Sequence, residues 1–445
     1  MSSHWALVVA GGVVAGYGAF SRRLSTTVIS GPLVFMAFGL AMGPLGLDLM
    51  SLAEEPELTR SLLESALVLL LFADAAAIRR RDLRLEEFLP LRLLAVGLPL
   101  TIALGWLLAW PLLPGLGLWE LALVGIILAP TDAALGQQAV ADKRVPALVR
   151  GGLGVESGVN DGLALPFFVL ALAAAGEGPG DSGVVGTFLR ALLLSGAVGI
   201  VVGGAGAALL RRSADRGWSS AAWRPFLTIA VPVVTYALCV AAEGSGFIGA
   251  WTAGLAFGIR VRRAPVGGGA PLGAGAPLGG VREEGPDLAR STEFTERLGL
   301  LLSSLSFLVF GAVILGPVLE HLTWRTVVYA VLSLTVVRML PVALALIGTG
   351  LRPASVAYIG WFGPRGLASL VFGLMAFEEH LAGVGLLSEV VAVTVGLSVL
   401  LHGASAPFLG RRYGDWFART LRTAPDLREN ALATDATPRG RASSG

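Results

Sequence analysis

The stretch GIILAPTDAALG, residues 125–136, lies within an apolar run but contains residues that a membrane-spanning helix ordinarily avoids. Pro130 removes a backbone N–H and clashes with the preceding turn, so the helix is expected to break here and free its carbonyl groups. Thr131 and Asp132 follow immediately. Freed carbonyls, a hydroxyl and a carboxylate are hard oxygen ligands that suit a dehydrated cation. The stretch therefore predicts a broken helix with a polar site at its centre. The alternative, a kinked helix with a snorkelling aspartate, is disfavoured by the depth of Asp132.

The composition of the surrounding chain is typical of a polytopic membrane protein. Of 445 residues, 33 are basic and 31 acidic, so charged residues make up 14% of the chain, against about 25% in an average soluble domain. Apolar residues make up 54%, and the mean hydropathy is +0.74. These values exclude a disordered chain, a coiled coil and an ordinary soluble enzyme. The one cysteine, Cys239, excludes an intrachain disulfide and is expected to pack in a core.

Thirteen apolar segments are candidates for membrane-spanning helices. They lie near residues 4–20, 31–50, 61–78, 91–110, 119–141, 151–175, 187–210, 225–242, 245–259, 297–318, 326–348, 355–377 and 384–408. Arginines concentrate after the odd-numbered segments, from Arg22 and Arg23 to Arg411 and Arg412, whereas the even-numbered connections hold few basic residues. Because positive charge marks the cytoplasmic side of a membrane, this pattern predicts an external N-terminus and a cytoplasmic C-terminus.

The segments divide the chain into four predicted regions. Residues 1–261 would form the first half of a transmembrane domain, with segments one to nine, and residues 297–410 its remainder, with segments ten to thirteen. Between them, residues 262–296 contain the sequence APVGGGAPLGAGAPLGG, which cannot form a packed core and is expected to be a mobile cytoplasmic loop. Residues 411–445 are polar and rich in arginine, and they would form a short cytoplasmic tail.

Segment six carries a second group of polar residues, in the sequence GGLGVESGVNDGLALP of residues 151–166. Residues three or four apart share a helix face, so Ser157 and Asp161 lie on one face. Glu156 and Asn160 lie on the adjoining face, about 100° away. Four polar groups on neighbouring strips favour a binding site over the alternative, a polar contact between helices.

Segment twelve contains the sequence YIGWFGPRGLASL, residues 358–370. The residues expected to break this helix are Gly360, Gly363, Pro364 and Gly366. Arg365 lies at the break, where a buried guanidinium is expected to need a carboxylate partner. Segments five and twelve would cross in opposite directions, and broken helices at matching places in two halves are typical of inverted-repeat secondary transporters. Segments one to six and eight to thirteen would be the repeats, and segment seven the linker.

Together and in this order, the three stretches resemble motifs of the monovalent cation:proton antiporters, specifically the NhaP-like sodium/proton exchangers. The resemblance covers roughly residues 5–410. The matching motifs are Pro130-Thr131-Asp132 for the unwound helix, Glu156-Ser157 with Asn160-Asp161 for the Asn-Asp site, and Gly363-Pro364-Arg365-Gly366 for the arginine segment.

The resemblance implies a role for each of these residues. Asp161 would be the principal carboxylate for both the ion and the proton, and Asp132 and Asn160 would shape the site. Glu156 would form a structural ion pair with Arg365. The implied ligands for Na⁺, some of them acting through the backbone or water, are Asp161, Ser157, Thr131 and Glu156. Asn160 stands where electrogenic relatives carry a second aspartate, which implies electroneutral exchange.

Burial disfavours the charged form of Asp161, and bound Na⁺ opposes its protonation, so this carboxylate would hold either a proton or a cation during alternating access. The resemblance further implies a homodimer in the cell membrane that serves pH homeostasis, without a cofactor and without a nucleic-acid partner. Exchange of K⁺ or Li⁺ in place of Na⁺ remains open, as does a Na⁺-coupled symporter of organic solutes on a related fold. A channel is disfavoured because repeated filter motifs are missing.

Several charged or titratable residues have no assigned role in this scheme. Glu64 and Asp74 could line a cavity, pair with Arg338 or lie in an interfacial loop, and Glu389 is similarly open. The histidines fall near segment ends, where an interfacial position is expected for each: His4, His321, His380 and His402. With no histidine in a core segment to act as a base, an intramembrane serine protease is also disfavoured.

Overall fold

The computed structural model is mainly helical over the residues it describes, which are 3–24, 27, 29–48, 56–78, 88–177, 183–261, 286–424 and 427–430. The helices are α1 (Ser3–Leu24), α2 (Gly31–Met42), α3 (Pro56–Ala77), α4 (Phe88–Leu112), α5 (Leu118–Ile127), α6 (Ala133–Ala141), α7 (Ala147–Glu177), α8 (Gly183–Asp215), α9 (Arg224–Ala241), α10 (Gly246–Val261), α11 (Pro286–Val309), α12 (Gly316–Glu320), α13 (Trp324–Leu334), α14 (Val336–Ala345), α15 (Pro353–Trp361), α16 (Leu367–Glu378) and α17 (Val384–Thr423). A π-helical turn, Leu93–Gly97, lies within α4, another, Phe310–Leu315, joins α11 to α12, and Arg428–Asn430 forms a 3₁₀ turn.

Each predicted segment overlaps one of these helices or a consecutive group of them, and the predicted all-α class is confirmed. Within the described part of the chain, seven helices are long and apolar enough to cross a membrane. They are Phe88–Leu112, Ala147–Gly176, Phe188–Asp215, Arg224–Ala241, Thr292–Glu320, Trp324–Ala345 and Val384–Thr423. Shorter apolar helices include α5 and α16, which are halves of the two predicted broken helices. Thirteen crossings, the inverted repeats and the orientation stay predictions.

Helix starts follow the local sequence. Ser30 caps α2 by accepting a hydrogen bond from the N–H of Leu33, and Thr323 caps α13 in the same way. Such oxygen side chains satisfy the N–H groups that a helix leaves unpaired at its first turn. Pro353 opens α15, where its missing N–H would have had no helical partner. The short helices thus begin at residues that favour a start.

The contacts of the chain define two compact units. The first takes residues 1–64, 80–185 and 302–445, and it contains both predicted broken helices. Its core includes Phe168 of α7 stacked on Phe372 of α16, with ring centroids 4.7 Å apart. Tyr329 of α13 is fully buried and donates a 3.0 Å hydrogen bond to the carbonyl of Gly105 in α4.

The second unit takes residues 65–79 and 186–301, and it contains α9, α10 and most of α8. Its core packs Phe72 against Phe257, with ring centroids 5.3 Å apart. Cys239 is fully buried in this unit, as its sequence context predicts.

Two helices extend into regions predicted to be loop or tail. Helix α11 begins at Pro286, so the last residues of the range 262–296 are helical. An i,i+4 ion pair between Glu293 and Arg297, 2.6 Å long, supports this start. Helix α17 continues to Thr423, well into the predicted tail 411–445. Residues 262–285 and 431–445 lie outside the described residues, as do the arginines predicted to mark the cytoplasmic side at 79–84.

Candidate functional site

The candidate site is built on two interrupted helices of the first unit. Helix α5 ends at Ile127 and α6 begins at Ala133; we call the residues between them, 128–132, the first connection. Helix α15 ends at Trp361 and α16 begins at Leu367; residues 362–366 are the second connection. Both interruptions lie where proline and glycine predict them. Each connection frees backbone groups that must find partners outside their own helix.

Asp132 joins the two connections. Its backbone N–H donates a 2.8 Å hydrogen bond to the carbonyl of Pro364. Its carboxylate accepts from the N–H of Leu135 in α6 and from the N–H of Leu367 in α16, both at 2.9 Å. One buried carboxylate therefore caps two helices at their positive ends, an arrangement that stabilises its negative charge. Both carboxylate oxygens of Asp132 are thus engaged in structure.

The close approach of the Asp132 carboxylate to the second connection requires glycine at position 366. A Cβ atom at position 366 would collide with the carboxylate of Asp132. Gly363 faces a similar limit, because a Cβ there would overlap the guanidinium of Arg338. Glycine at both positions lets the second connection pass directly against charged side chains.

Arg365 is fully buried in the second connection and donates to the first one. Its Nη1 donates to the carbonyl oxygens of Ala129 and Pro130, the latter at 3.0 Å. Ser369, one turn into α16, donates a 2.7 Å hydrogen bond to the carbonyl of Ile127. Two carbonyls freed by the break at Pro130 therefore bind Nη1 of the guanidinium, whereas its Nε and Nη2 are buried with no hydrogen-bond partner among the described residues.

This arrangement corrects the predicted ion pair between Glu156 and Arg365. Glu156 pairs instead with Arg338 of α14, whose Nη1 and Nη2 donate to its two carboxylate oxygens at 2.5 and 2.8 Å. Both side chains are only 3% exposed. The prediction assumed that a buried guanidinium needs a carboxylate. Backbone carbonyls bind Arg365 in place of a carboxylate. Glu156 therefore forms a bidentate ion pair with Arg338.

A buried cluster of hydroxyl and amide groups lies where the first connection meets α7. The Nδ2 of Asn160 donates to the Oγ1 of Thr131 at 2.6 Å, and that same Oγ1 is 3.1 Å from the Oγ of Ser157. All three side chains are buried. The Oδ1 of Asn160 is also buried, and no hydrogen-bond partner for it occurs among the described residues. The structure therefore brings together three of the predicted site residues and leaves an amide oxygen available to a ligand.

Asp161 follows Asn160 on α7 and differs from the other two carboxylates of the site. It is partly exposed, whereas Asp132 and Glu156 are buried. Its charge lies within electrostatic range of Arg365. Asp161 is thus the partly exposed member of these three carboxylates.

Sequence reasoning missed a further buried group beside the second connection. His402, expected at an interface, is 1% exposed and lies in mid-helix, because α17 continues far beyond it. Its ring contacts Ser398 on the same helix and the carbonyl of Trp361. The spacing of Ser398 and His402, four residues apart on one helix face, was the available signal.

The remaining charged residues have local roles. Glu64 pairs with Arg60 at 2.8 Å, whereas both Nη atoms of Arg338 bind Glu156. Glu389 accepts a 2.9 Å hydrogen bond from the hydroxyl of Thr326, near the start of α13. Asp74 lies in the second unit.

Comparison with known proteins is consistent with this geometry. A K(+)/H(+) antiporter NhaP of Alkalimonas amylolytica is 25% identical over 394 residues, which are 86% of this chain and 62% of that protein. A Na(+)/H(+) antiporter of Saccharomyces cerevisiae is 33% identical over 145 residues, or 30% of this chain and 14% of that protein. The chain therefore spans less than two thirds of the length of these relatives. Both relatives are transporters and not enzymes.

The fold is shared with a solved structure and a family model covers most of the chain. The sodium proton antiporter MjNhaP1 from Methanocaldococcus jannaschii superposes with a TM-score of 0.70 at 20% identity, over 92% of this chain and 97% of that chain. The model for "Sodium/hydrogen exchanger, transmembrane" matches residues 10–412. The predicted resemblance is confirmed, and this multi-pass membrane protein belongs to the sodium/hydrogen exchanger family.

Proposed function

We propose that the protein is a secondary active antiporter that exchanges Na⁺ for H⁺ electroneutrally, by alternating access, with both ions competing for Asp161. The observation that carries this proposal is the buried cluster of Thr131, Ser157 and Asn160 beside Asp161. It places hydroxyl and amide oxygens next to the carboxylate that follows Asn160 on α7 and is partly exposed. Oxygen ligands of this kind suit a small hard cation.

The charges around the site support a one-for-one exchange. Three carboxylates, those of Asp132, Glu156 and Asp161, lie with two guanidinium groups, those of Arg338 and Arg365. With every group ionised, one negative charge is left over. One Na⁺ or one H⁺ cancels it, and two ions at once would leave a positive charge in a low-dielectric interior. This balance favours competition over simultaneous binding.

The hydrogen bonds of Thr131 suggest how the cluster would receive Na⁺. The Oγ1 of Thr131 accepts from Asn160, and its own hydroxyl hydrogen can be donated to Ser157. A second lone pair on that oxygen then stays available to a cation. The Oδ1 of Asn160 and the carboxylate of Asp161 would complete this set, with Ser157 as a further ligand. Glu156 would act through its ion pair or through water.

K⁺/H⁺ exchange is the alternative, because the relative from Alkalimonas amylolytica is named a K(+)/H(+) antiporter. K⁺ is larger than Na⁺ and needs a wider set of oxygens. The same assay with each cation would therefore distinguish the two functions.

We further propose a homodimer in the cell membrane, with the N-terminus outside, that serves pH homeostasis. The distribution of arginines supports this orientation. The chain's one cysteine allows a direct test in a Cys239→Ser background. A cysteine introduced beside Arg352 should react with a membrane-impermeant thiol reagent only from the cytoplasmic side.

The proposed exchange can be tested in proteoliposomes with a pH-sensitive dye inside. An imposed Na⁺ gradient should move protons in the wild type, without any dependence on membrane potential. Asp161→Asn removes the titratable group, and we expect it to lower exchange at least about hundredfold, because the carboxylate is the binding group itself. Asp215→Asn is the matched control, since Asp215 is exposed at the end of α8, and it should leave exchange unchanged.

Two outcomes would contradict the proposal. Full exchange by Asp161→Asn would remove Asp161 from the mechanism. A wild type that moves no protons with Na⁺, Li⁺ or K⁺ would overturn the antiporter function itself.

A further inference from the structure

We infer that His402 is a positioning residue for the proposed exchange: together with Ser398, it holds the second connection in place and so fixes Arg365 against the first connection. The inference rests on the proposed function, because the connection that it holds contacts the candidate ion site. It concerns a residue of α17 that takes no direct part in that site.

His402 is linked to both ends of the second connection, through Trp361 and through Ser398. Its Nε2 lies 2.9 Å from the carbonyl oxygen of Trp361, the last residue of α15. Its Nδ1 lies 3.1 Å from the Oγ of Ser398, and that Oγ accepts a 2.7 Å hydrogen bond from the backbone N–H of Arg365. One imidazole is thus linked to both ends of the interruption.

The ring of His402 faces two carbonyl oxygens, which can only accept hydrogen bonds. Its Nε2 lies 2.9 Å from the carbonyl of Trp361, and its Nδ1 lies 3.0 Å from the carbonyl of Ser398 as well as 3.1 Å from the Oγ of that residue. A neutral ring carries one hydrogen, so it donates to one of these two carbonyls. In either tautomer the ring lies between Trp361 and Ser398, the residue whose Oγ accepts from the N–H of Arg365.

Helix α17 presents a row of such contacts on one face. Ser398, His402 and Ser405 are spaced by four and three residues, which places them on a single stripe. Ser405 accepts a 2.9 Å hydrogen bond from the indole N–H of Trp361. The rings of Trp361 and His402 lie 5.2 Å apart. The stripe therefore holds Trp361 by its carbonyl and its side chain, and holds Arg365 by its backbone.

The contact reaches the ion site through Arg365. Its guanidinium donates to the carbonyls of Ala129 and Pro130, and Thr131, the next residue, contributes a hydroxyl to the candidate site. Displacement of the Arg365 backbone would therefore shift the ligands of the cation. An effect on cation affinity distinguishes this role from a general effect on folding.

The experiment measures Na⁺-dependent proton movement in proteoliposomes, as initial rates normalised to the amount of folded protein. His402→Ala should raise the apparent KM for Na⁺ about tenfold, since displacement of a binding group by about 1 Å is costly. His402→Gln keeps an N–H donor for Trp361, and His402→Asn keeps a polar group at the position of Nδ1, so each should restore part of the affinity. His321→Ala, at an exposed histidine, is the control and should leave KM unchanged.

Amide hydrogen exchange in residues 362–366 gives a readout that does not need activity. His402→Ala and Ser398→Ala should accelerate exchange at the Arg365 amide, and Ser398→Thr, which keeps the hydroxyl, should not.

The role is overturned if the wild type exchanges ions while the His402 variants keep the wild-type KM and the wild-type amide protection. A uniform fall in rate at unchanged KM would also overturn it, because that result marks a purely structural residue. A wild type without exchange would overturn both the proposed function and this role.

Discussion

Both connections interrupt a helix and leave backbone groups unpaired, but they differ in the groups that they offer to each other. Residues 128–132 present acceptors, namely the carbonyls of Ile127, Ala129 and Pro130 at or beside the connection and the carboxylate of Asp132. Residues 362–366 present donors, above all the guanidinium of Arg365. Nη1 of Arg365 in the second connection therefore binds acceptors of the first, while Nε and Nη2 of Arg365 have no hydrogen-bond partner among the described residues.

The two connections also differ in their position relative to the candidate ion site. The connection with acceptors also carries Thr131, whose hydroxyl faces Ser157 and Asn160 of α7. The connection with donors is held from behind by Ser398 and His402. We interpret the first connection as the one that binds the ion and the second as the one that holds the first in place. Substitutions in the two connections should therefore affect exchange differently.

The largest effect is expected from Arg365→Met, which keeps the side-chain volume and removes the donors. The carbonyls of Ala129 and Pro130 would lose a buried partner, at a cost of about 1–3 kcal/mol each. Loss of this charge would also leave two uncancelled negative charges near the site. We expect exchange to fall at least about hundredfold and the apparent melting temperature to fall as well, as measured in proteoliposomes and in detergent.

Two further variants test this prediction: Arg365→Lys as a partial rescue and Arg60→Met as a control. Lysine restores the charge without the planar fork, so partial activity is expected. Arg60 is 48% exposed in its ion pair with Glu64, and its loss should cost about 1 kcal/mol or less. Equal effects of Arg365→Met and Arg60→Met would contradict the view that Arg365 supports the first connection.

The sequence predicted both interruptions because proline and glycine act locally on the backbone. Pro130, Pro364 and Gly366 mark them without any knowledge of tertiary structure. The polar face of α7 was also predictable from helical spacing. These parts of the fold and of the site depend on short-range geometry.

The pairing of charges was not predictable in the same way. Glu156 had two possible arginine partners, and the choice depends on where α14 packs, which is a long-range property. The prediction for Arg365 considered carboxylates as its partners and not the carbonyls that a broken helix frees. His402 was misplaced because its helix continues past the end of the apolar segment, to Thr423.

An intermediate effect is expected from Asp132→Asn. The amide oxygen can accept from one helix N-terminus, but its NH₂ group would face the N–H of the other, so one of Leu135 and Leu367 loses its acceptor. Loss of such a cap costs about 0.5–2 kcal/mol. We expect lower thermal stability and a reduced rate of exchange, with the apparent KM for Na⁺ close to that of the wild type.

Asp132→Ser separates the two caps. Serine is a good N-cap for α6 but is too short to reach Leu367, so it tests the link between the connections alone. Amide exchange at Leu367 should rise, while that at Leu135 stays protected. If Asp132→Ser instead abolished Na⁺ binding while keeping both amides protected, Asp132 would be an ion ligand and not a cap.

The smallest effect is expected from Ser369→Ala, which removes one neutral hydrogen bond between the two broken helices. The carbonyl of Ile127 would lose its 2.7 Å partner, at a cost of about 0.5–1.5 kcal/mol. Ser333→Ala is a matched control, because Ser333 is equally buried and its hydroxyl has no hydrogen-bond partner among the described residues. Ser369→Ala should lower the apparent melting temperature by a few degrees, whereas Ser333→Ala should leave it unchanged or raise it. Ser369 lies one turn beyond Arg365. If Ser369→Ala lost as much exchange as Arg365→Met, any missing contact between the two broken helices would have the same effect. The two connections would then not have the different roles argued above.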